Sequence, residues 1–139
     1  MKKIGFIGAG NMASALVGGL LARGWHPADI ALSDAVPAAL VPHQQRGLFT
    51  TTDNRELVAR ADVLVLAVKP QVMAQVLQPV ADLVQARQPL IISIAAGIPG
   101  ARLEHWLGGP LPLVRAMPNT PAPPQAGASG LYANARVTA

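Results

Sequence analysis

Residues 4–13 read IGFIGAGNMA, an apolar run that breaks at Gly8-Ala9-Gly10 and resumes with a small residue at Ala13. Ile4–Ile7 reads as a buried strand ending at Gly8. From Ala13 the period changes. Ala13, Leu16, Val17, Leu20 and Leu21 follow the i, i+3, i+4, i+7, i+8 stripe of an amphipathic helix. Gly24 suits the position just past its end. A strand therefore turns into a helix across two glycines.

The same alternation continues outward. Ile30–Ser33 reads as a second strand closing on Asp34, followed by a helical segment over 36–46. Leu48–Thr51 is a weak strand and Asn54–Arg60 a short helix. Val63–Val68 is an unbroken apolar run, the mark of a strand in a parallel sheet covered on both faces. Pro70 fits the first turn of the next helix, whose stripe is Val72, Met73, Val76, Leu77, Val80, Leu83 and Val84. Pro79 lies inside that stripe and predicts a kink or a split. Leu90–Ile94 and Leu113–Met117 read as strands on either side of a helix at Ala101–Leu107, and Ser129–Ala133 as one more strand.

Strands and helices at this pitch are successive βαβ units, hence a parallel sheet with right-handed crossovers. The fold class expected is α/β, a doubly wound, mainly parallel, Rossmann-like sheet, with residues 1–139 forming one domain. Ligands of such sheets lie beyond the carboxyl ends of the strands. Attention falls on Gly8–Ala13, Ser33–Asp34, Lys69–Pro70 and the loop from Met117.

Composition narrows the classes. Hydrophobic residues make up 51% and charged residues 13% of the chain, against disorder. With no cysteine there is no disulfide, thiolate metal site or cysteine nucleophile, which suits a cytoplasmic protein. The formal charge is +4, yet only Lys2 and Lys3 among the basic residues are adjacent, and there are only two Trp, one Tyr and two Phe. A nucleic-acid partner, which wants a clustered basic stripe, is not expected. The amino-terminal segment has a basic start and an apolar middle, but Gly8, Gly10 and Asn11 break it, so neither a signal peptide nor a membrane span is read there.

Gly8-Ala9-Gly10-Asn11-Met12-Ala13 fits G-x-G-x-x-G/A in the context that gives the pattern meaning: a strand before, a helix after, an acidic residue closing the second strand. Gly8 permits the tight turn, Gly10 lets a pyrophosphate approach the backbone, and Ala13 allows close helix–strand packing. The helix N-terminus offers free N–H groups and partial positive charge. The alternative is a glycine turn that merely packs tightly. Asp34 sits where an acidic residue takes the adenosine ribose hydroxyls, which taken alone favours NAD over NADP; its alternative is a cap or turn residue. Arg55 is the candidate cation for an additional phosphate. Lys69 is either a solvated loop lysine or part of the cleft lining, and Gly97 offers close backbone approach at the next strand end. His26, His43 and His105 fall at loop or helix-surface positions remote from the cleft, and Glu56, Asp82 and Glu104 read as solvated helix charges. No Ser–His–Asp set or metal constellation assembles.

Residues 115–124, RAMPNTPAPP, form a stiff proline-flanked loop with Asn119 and Thr120 at its centre. Together with GFIGAGNMASAL (5–16), LAVKPQVM (66–73), SIAAGI (93–98) and GASGLYAN (127–134), it resembles the amino-terminal half of pyrroline-5-carboxylate reductase. The resemblance covers nearly the whole chain, with VKPQ, SIAAGI and MPNTP its more specific parts. It implies NAD(P)H-dependent reduction of the C=N bond of 1-pyrroline-5-carboxylate to L-proline, the last step of proline biosynthesis. By position, Ile7, Gly8, Ala9, Gly10, Asn11 and Met12 would bind the pyrophosphate, and Ser33 and Asn54 the adenosine end. Ala67, Val68, Lys69 and Pro70, with Ala95, Ala96 and Gly97, would line the nicotinamide side. Pro118, Asn119 and Thr120 would sit beside the ring and substrate, with no catalytic residue assigned beyond Asn119 and Thr120 as candidates.

Family members often prefer NADPH, which pulls against the Asp34 argument, so NADP(H) and NAD(H) both stand, with a lean to NADP(H). Pro123-Pro124-Gln125 departs from the apolar residues usual there. The family continues into a helical second domain that forms a homo-oligomer and completes the substrate pocket; the chain as given, to Ala139, is expected to be the cofactor half. The rival readings are another reductase or dehydrogenase of this architecture, such as a 3-hydroxyacid dehydrogenase or a deazaflavin-linked NADP reductase, and a nucleotide-sensing module without turnover.

Overall fold

The computed structural model describes residues 2–95, 97–117 and 130–133. In chain order the elements are β1 (Ile4–Ile7), α1 (Asn11–Ala22), β2 (Ile30–Ser33), α2 (Pro37–Gln45), β3 (Phe49–Thr51), α3 (Asn54–Arg60) and β4 (Val63–Leu66). They continue as α4 (Met73–Leu77), α5 (Ala81–Arg87), β5 (Leu90–Ser93), α6 (Gly100–Trp106), β6 (Leu113–Met117) and β7 (Gly130–Ala133). The sheet order is β3-β2-β1-β4-β5-β6-β7, parallel throughout except for the antiparallel β6–β7 pair.

The central strands carry no polar face because both faces are covered. In β4, Leu64 and Leu66 pack into a core under α3 to α6, with Leu57, Met73, Leu77, Val84 and Leu103. Val65, on the opposite face, joins Phe6, Val17, Leu32 and Leu40 under α1 and α2. β1 divides in the same way: Phe6 serves one core and Ile7 the other.

Pro79 splits its helix as its position predicts. α4 ends at Leu77, a 3-10 turn spans Gln78–Val80, and α5 follows. Proline lacks the N–H that would continue the ladder and crowds the preceding turn. Pro70 begins a 3-10 turn, Pro70–Val72, rather than an α-helical one. β4 stops at Leu66, so Ala67 and Val68 leave the sheet as loop residues. α1 starts at Asn11 and closes on Gly24 (φ +97°); there Gly24 N–H bonds Leu21 O and Trp25 N–H bonds Leu20 O, both at 3.1 Å. This is the paired-bond helix stop that a left-handed residue permits.

α3 lies against β1 because Gly5 has no side chain. A Cβ there would stand 2.8 Å from Leu57 Cδ1 and 2.9 Å from Ala61 Cβ. Gly5→Ala is therefore expected to destabilise the fold by about 1–3 kcal/mol through overpacking, read as a lowered midpoint in urea denaturation.

Candidate functional site: a crevice at the carboxyl edge

The chain leaves β1 by α1 toward β2 on one side, while β4 pairs with β1 on the other. Between these strands the connections diverge, and a crevice opens at their carboxyl ends. Its volume is about 540 Å³. The floor is tied together by backbone. Gly8 N–H donates to Ser33 O at 2.8 Å, and Ala67 N–H to Ile7 O at 2.8 Å. Gly8 has φ +105°, and a Cβ on it would lie 2.8 Å from the Ala67 carbonyl carbon and oxygen. Both the turn and the approach demand glycine.

Gly10 differs. Its backbone is extended, with φ −78° and ψ −165°, and a Cβ on it would meet nothing within 4 Å. Open space therefore lies over the start of α1. The first turn of that helix has no side-chain cap and no acidic residue. Its amides and the positive end of the helix dipole are left to an anion.

Ile7, Gly8, Gly10, Ser33, Asp34, Asn54, Ala67, Val68 and Lys69 line the crevice together, as the sequence leads one to expect. Ser33 is buried, and its hydroxyl donates to Asn54 Oδ1 at 2.7 Å, which joins the ends of β2 and β3. Lys69 is exposed at the rim, which reconciles its two readings: solvated, and lining the cleft. Ala9 is buried beneath the turn, and Asn11, Met12 and Pro70 are exposed outside the crevice lining. Ala95 packs on the core at the neighbouring strand end, and Gly97 faces open space. Ala96, Pro118, Asn119 and Thr120 lie outside the described residues.

Several expectations are corrected. Arg55 does not point its charge into the crevice: its guanidinium grips Asp82 at 2.7 and 3.1 Å and the Pro79 carbonyl at 2.9 Å. That pairing holds the Asp82 carboxyl below its ordinary range. Asp82 is thus a solvated helix charge, as read, that is also paired with Arg55. Glu104, likewise, accepts Leu111 N–H at 2.9 Å and organises the loop after α6. His43 is not a surface residue but buried, with Nε2 3.2 Å from Ser14 Oγ on α1. Leu40 and His43, one turn apart on α2, both face inward, a pattern that a single buried histidine among polar neighbours conceals.

The wall opposite the glycine turn was missed. Val72, Gln75, Val76 and Pro79 form it, with Ala35 beside Asp34. The signal was the width of the apolar stripe: Met73, Leu77 and Val80 fill the core, while Val72 and Val76, on the flank, face the crevice.

The comparisons agree with this geometry. A family described as "NADP oxidoreductase coenzyme F420-dependent" matches residues 3–97. A pyrroline-5-carboxylate reductase of Pseudomonas aeruginosa is 55% identical, the match covering 99% of this chain and 50% of the relative. The structure of a pyrroline-5-carboxylate reductase from Coxiella burnetii superposes with a TM-score of 0.89 at 42% identity, covering 99% of this chain and 51% of that one. A Plasmodium falciparum pyrroline carboxylate reductase with NADP bound superposes with a TM-score of 0.76 at 27% identity, covering 99% and 50%. Fold, glycine turn and family match define an NADP-oxidoreductase type of dinucleotide-binding domain. The chain belongs to that family, and over nearly its whole length it is similar to pyrroline-5-carboxylate reductases. It spans about half the length of the relatives it matches.

Among the described residues no cluster of metal-binding side chains forms, and no helix is long and apolar enough to cross a membrane. Burial, then the nearby Arg46 charge, lowers the His43 pKa from its ordinary 6.5, with weak opposition from the Ala9 backbone. As pH falls below 6.5 the unfolded chain takes up a proton that the folded one resists, so stability falls with acidification. The melting temperature of the native chain is expected to drop more steeply between about pH 7 and pH 5.5 than that of His43→Gln. Identical slopes would remove His43 from the balance.

Proposed function

We propose that the crevice binds NADP(H), with NAD(H) as a weaker alternative, and that the chain supplies the cofactor half of a pyrroline-5-carboxylate reductase. The reaction would reduce the C=N bond of 1-pyrroline-5-carboxylate to give L-proline. The observation that carries the reading is the open space over Gly10 at the uncapped start of α1, beside a Gly8 turn that admits no side chain. Those residues fit a dinucleotide. The backbone of Ile7–Met12 would hold the pyrophosphate, and Ser33 and Asn54 the adenosine end. Ala67 and Val68, with Lys69, Pro70, Ala95, Ala96 and Gly97, would line the nicotinamide side.

The nicotinamide, when bound, supplies the hydride. The protein's part is to bind, orient and exclude water. Ile7, Ala67, Val68 and Val76 make one side of the crevice apolar, and Lys69 adds positive field at its rim, where phosphates approach. Pro118, Asn119 and Thr120 belong to the same proposal as the substrate-side wall. So do residues 1–139 as one cofactor-binding domain, cytoplasmic residence, and a homo-oligomeric whole protein. A deazaflavin-linked reductase, the second reading, draws on the description of the family match over 3–97. SIAAGI and MPNTP favour the imine substrate.

Calorimetric titration tests the site. The native chain is expected to bind NADPH and, more weakly, NADH. Gly10→Val is expected to stay folded, since a Cβ there meets nothing within 4 Å, with a modest loss of stability at the α1 N-cap, and to lose most of the binding. Undiminished binding by Gly10→Val would place the cofactor elsewhere. With NADPH and 1-pyrroline-5-carboxylate, residues 1–139 by themselves are expected to show little or no turnover. A rate equal to that of a full-length relative would overturn the division of labour.

A further inference from the structure

Asp34 closes β2 where an acidic side chain is expected to take the ribose diol of a dinucleotide. Both of its carboxylate oxygens are engaged elsewhere. Oδ2 accepts Ala9 N–H at 2.9 Å, and Oδ1 accepts Val36 N–H at 2.8 Å. The backbone on either side is committed as well: Asp34 N–H donates to Thr51 O at 3.2 Å, and Ser33 O accepts Gly8 N–H at 2.8 Å. Two successive amides of the glycine turn, Gly8 and Ala9, are therefore held by two successive residues, Ser33 at the end of β2 and Asp34 just past it.

The second of those bonds has a physical necessity behind it. Ala9 is buried at 4% exposure and lies ahead of α1, so its N–H belongs to no helix ladder. A buried amide without an acceptor is costly, and a charged acceptor makes the stronger bond. Asp34 is half-buried at the crevice edge, with Oδ2 on the Ala9 amide and Oδ1 on the exposed Val36 amide. The neighbouring polar side chains of the lining are Asn54, half-buried, and Ser33, buried with its hydroxyl donated to Asn54; neither carries a negative charge.

We propose that Asp34 is a positioning residue: it pins the glycine turn so that the first amides of α1 are presented to a pyrophosphate, and it does not select between cofactors by binding the ribose. Recognition at the adenosine end falls to Asn54, which the Ser33 hydroxyl orients, so the acidic residue after β2 does not by itself make this an NAD-selective site. The proposal rests on the cofactor reading above, but the clamp it describes exists without any ligand.

The test has two arms on the native chain, Asp34→Ala and Asp34→Asn. In the first, hydrogen exchange without nucleotide should show the Ala9 amide protected in the native chain and exposed in Asp34→Ala, while Ile91 in β5 is unchanged. Asp34→Asn, which keeps one acceptor oxygen, should lie between them and guards against a misfolded alanine variant. In the second arm, calorimetry should show NADPH and NADH affinities falling together, by roughly tenfold in Asp34→Ala, with their ratio nearly constant. A ribose-binding role would instead weaken NADH alone and leave NADPH equal or tighter; that result overturns the proposal. So does a native Ala9 amide that exchanges freely. If neither nucleotide binds the native chain while the exchange pattern holds, the cofactor reading fails and the clamp stands.

Discussion

The site depends on the approach of β1 to β4 at Gly8. The place where a Cβ would stand is 2.8 Å from the carbonyl of Ala67, so only a hydrogen lets the two strand ends remain adjacent as they leave the sheet. The same residue donates to Ser33 O and so fixes β2 as well. Three parallel strands are thereby registered at their carboxyl ends by one position. Everything that lines the crevice hangs from that registration: Gly10 on one side, Ser33 and Asp34 on the next, Ala67 to Lys69 on the other.

The far wall is built from a broken helix. Pro79 prevents a continuous run from Met73 to Arg87, and the 3-10 turn that replaces it brings Val76 and Pro79 to the crevice. Arg55, just after Asn54 in α3, reaches across to the Pro79 carbonyl and to Asp82 at the start of α5. An exposed ion pair adds little to stability. Its value here is positional, since it links the start of α3, beside Asn54, to the wall at Pro79.

Much of this was legible in the chain. Helix and strand periods, the glycine pattern and Pro79 each act locally, through φ restriction or side-chain spacing, and each placed its element within a residue or two. β4 ended earlier than its apolar run because Ala67 and Val68 are apolar for the crevice and not for the sheet. Asp34, Arg55 and His43 make contacts that the sequence did not show, for a shared reason. Each is a polar side chain whose partner is remote in sequence: Ala9, Asp82 and Ser14 respectively. A hydrogen bond spanning tens of residues leaves no periodic trace.

Sequence by itself determined the α/β class, the parallel core and the glycine turn, because these follow from the spacing of apolar residues and from the two residue types with unusual backbone freedom. Tertiary structure decided what the polar residues do. That Asp34 meets the buried Ala9 amide, and Arg55 meets Asp82, follows from which groups packing brings within 3 Å of each. That choice is made in space, after the chain has folded.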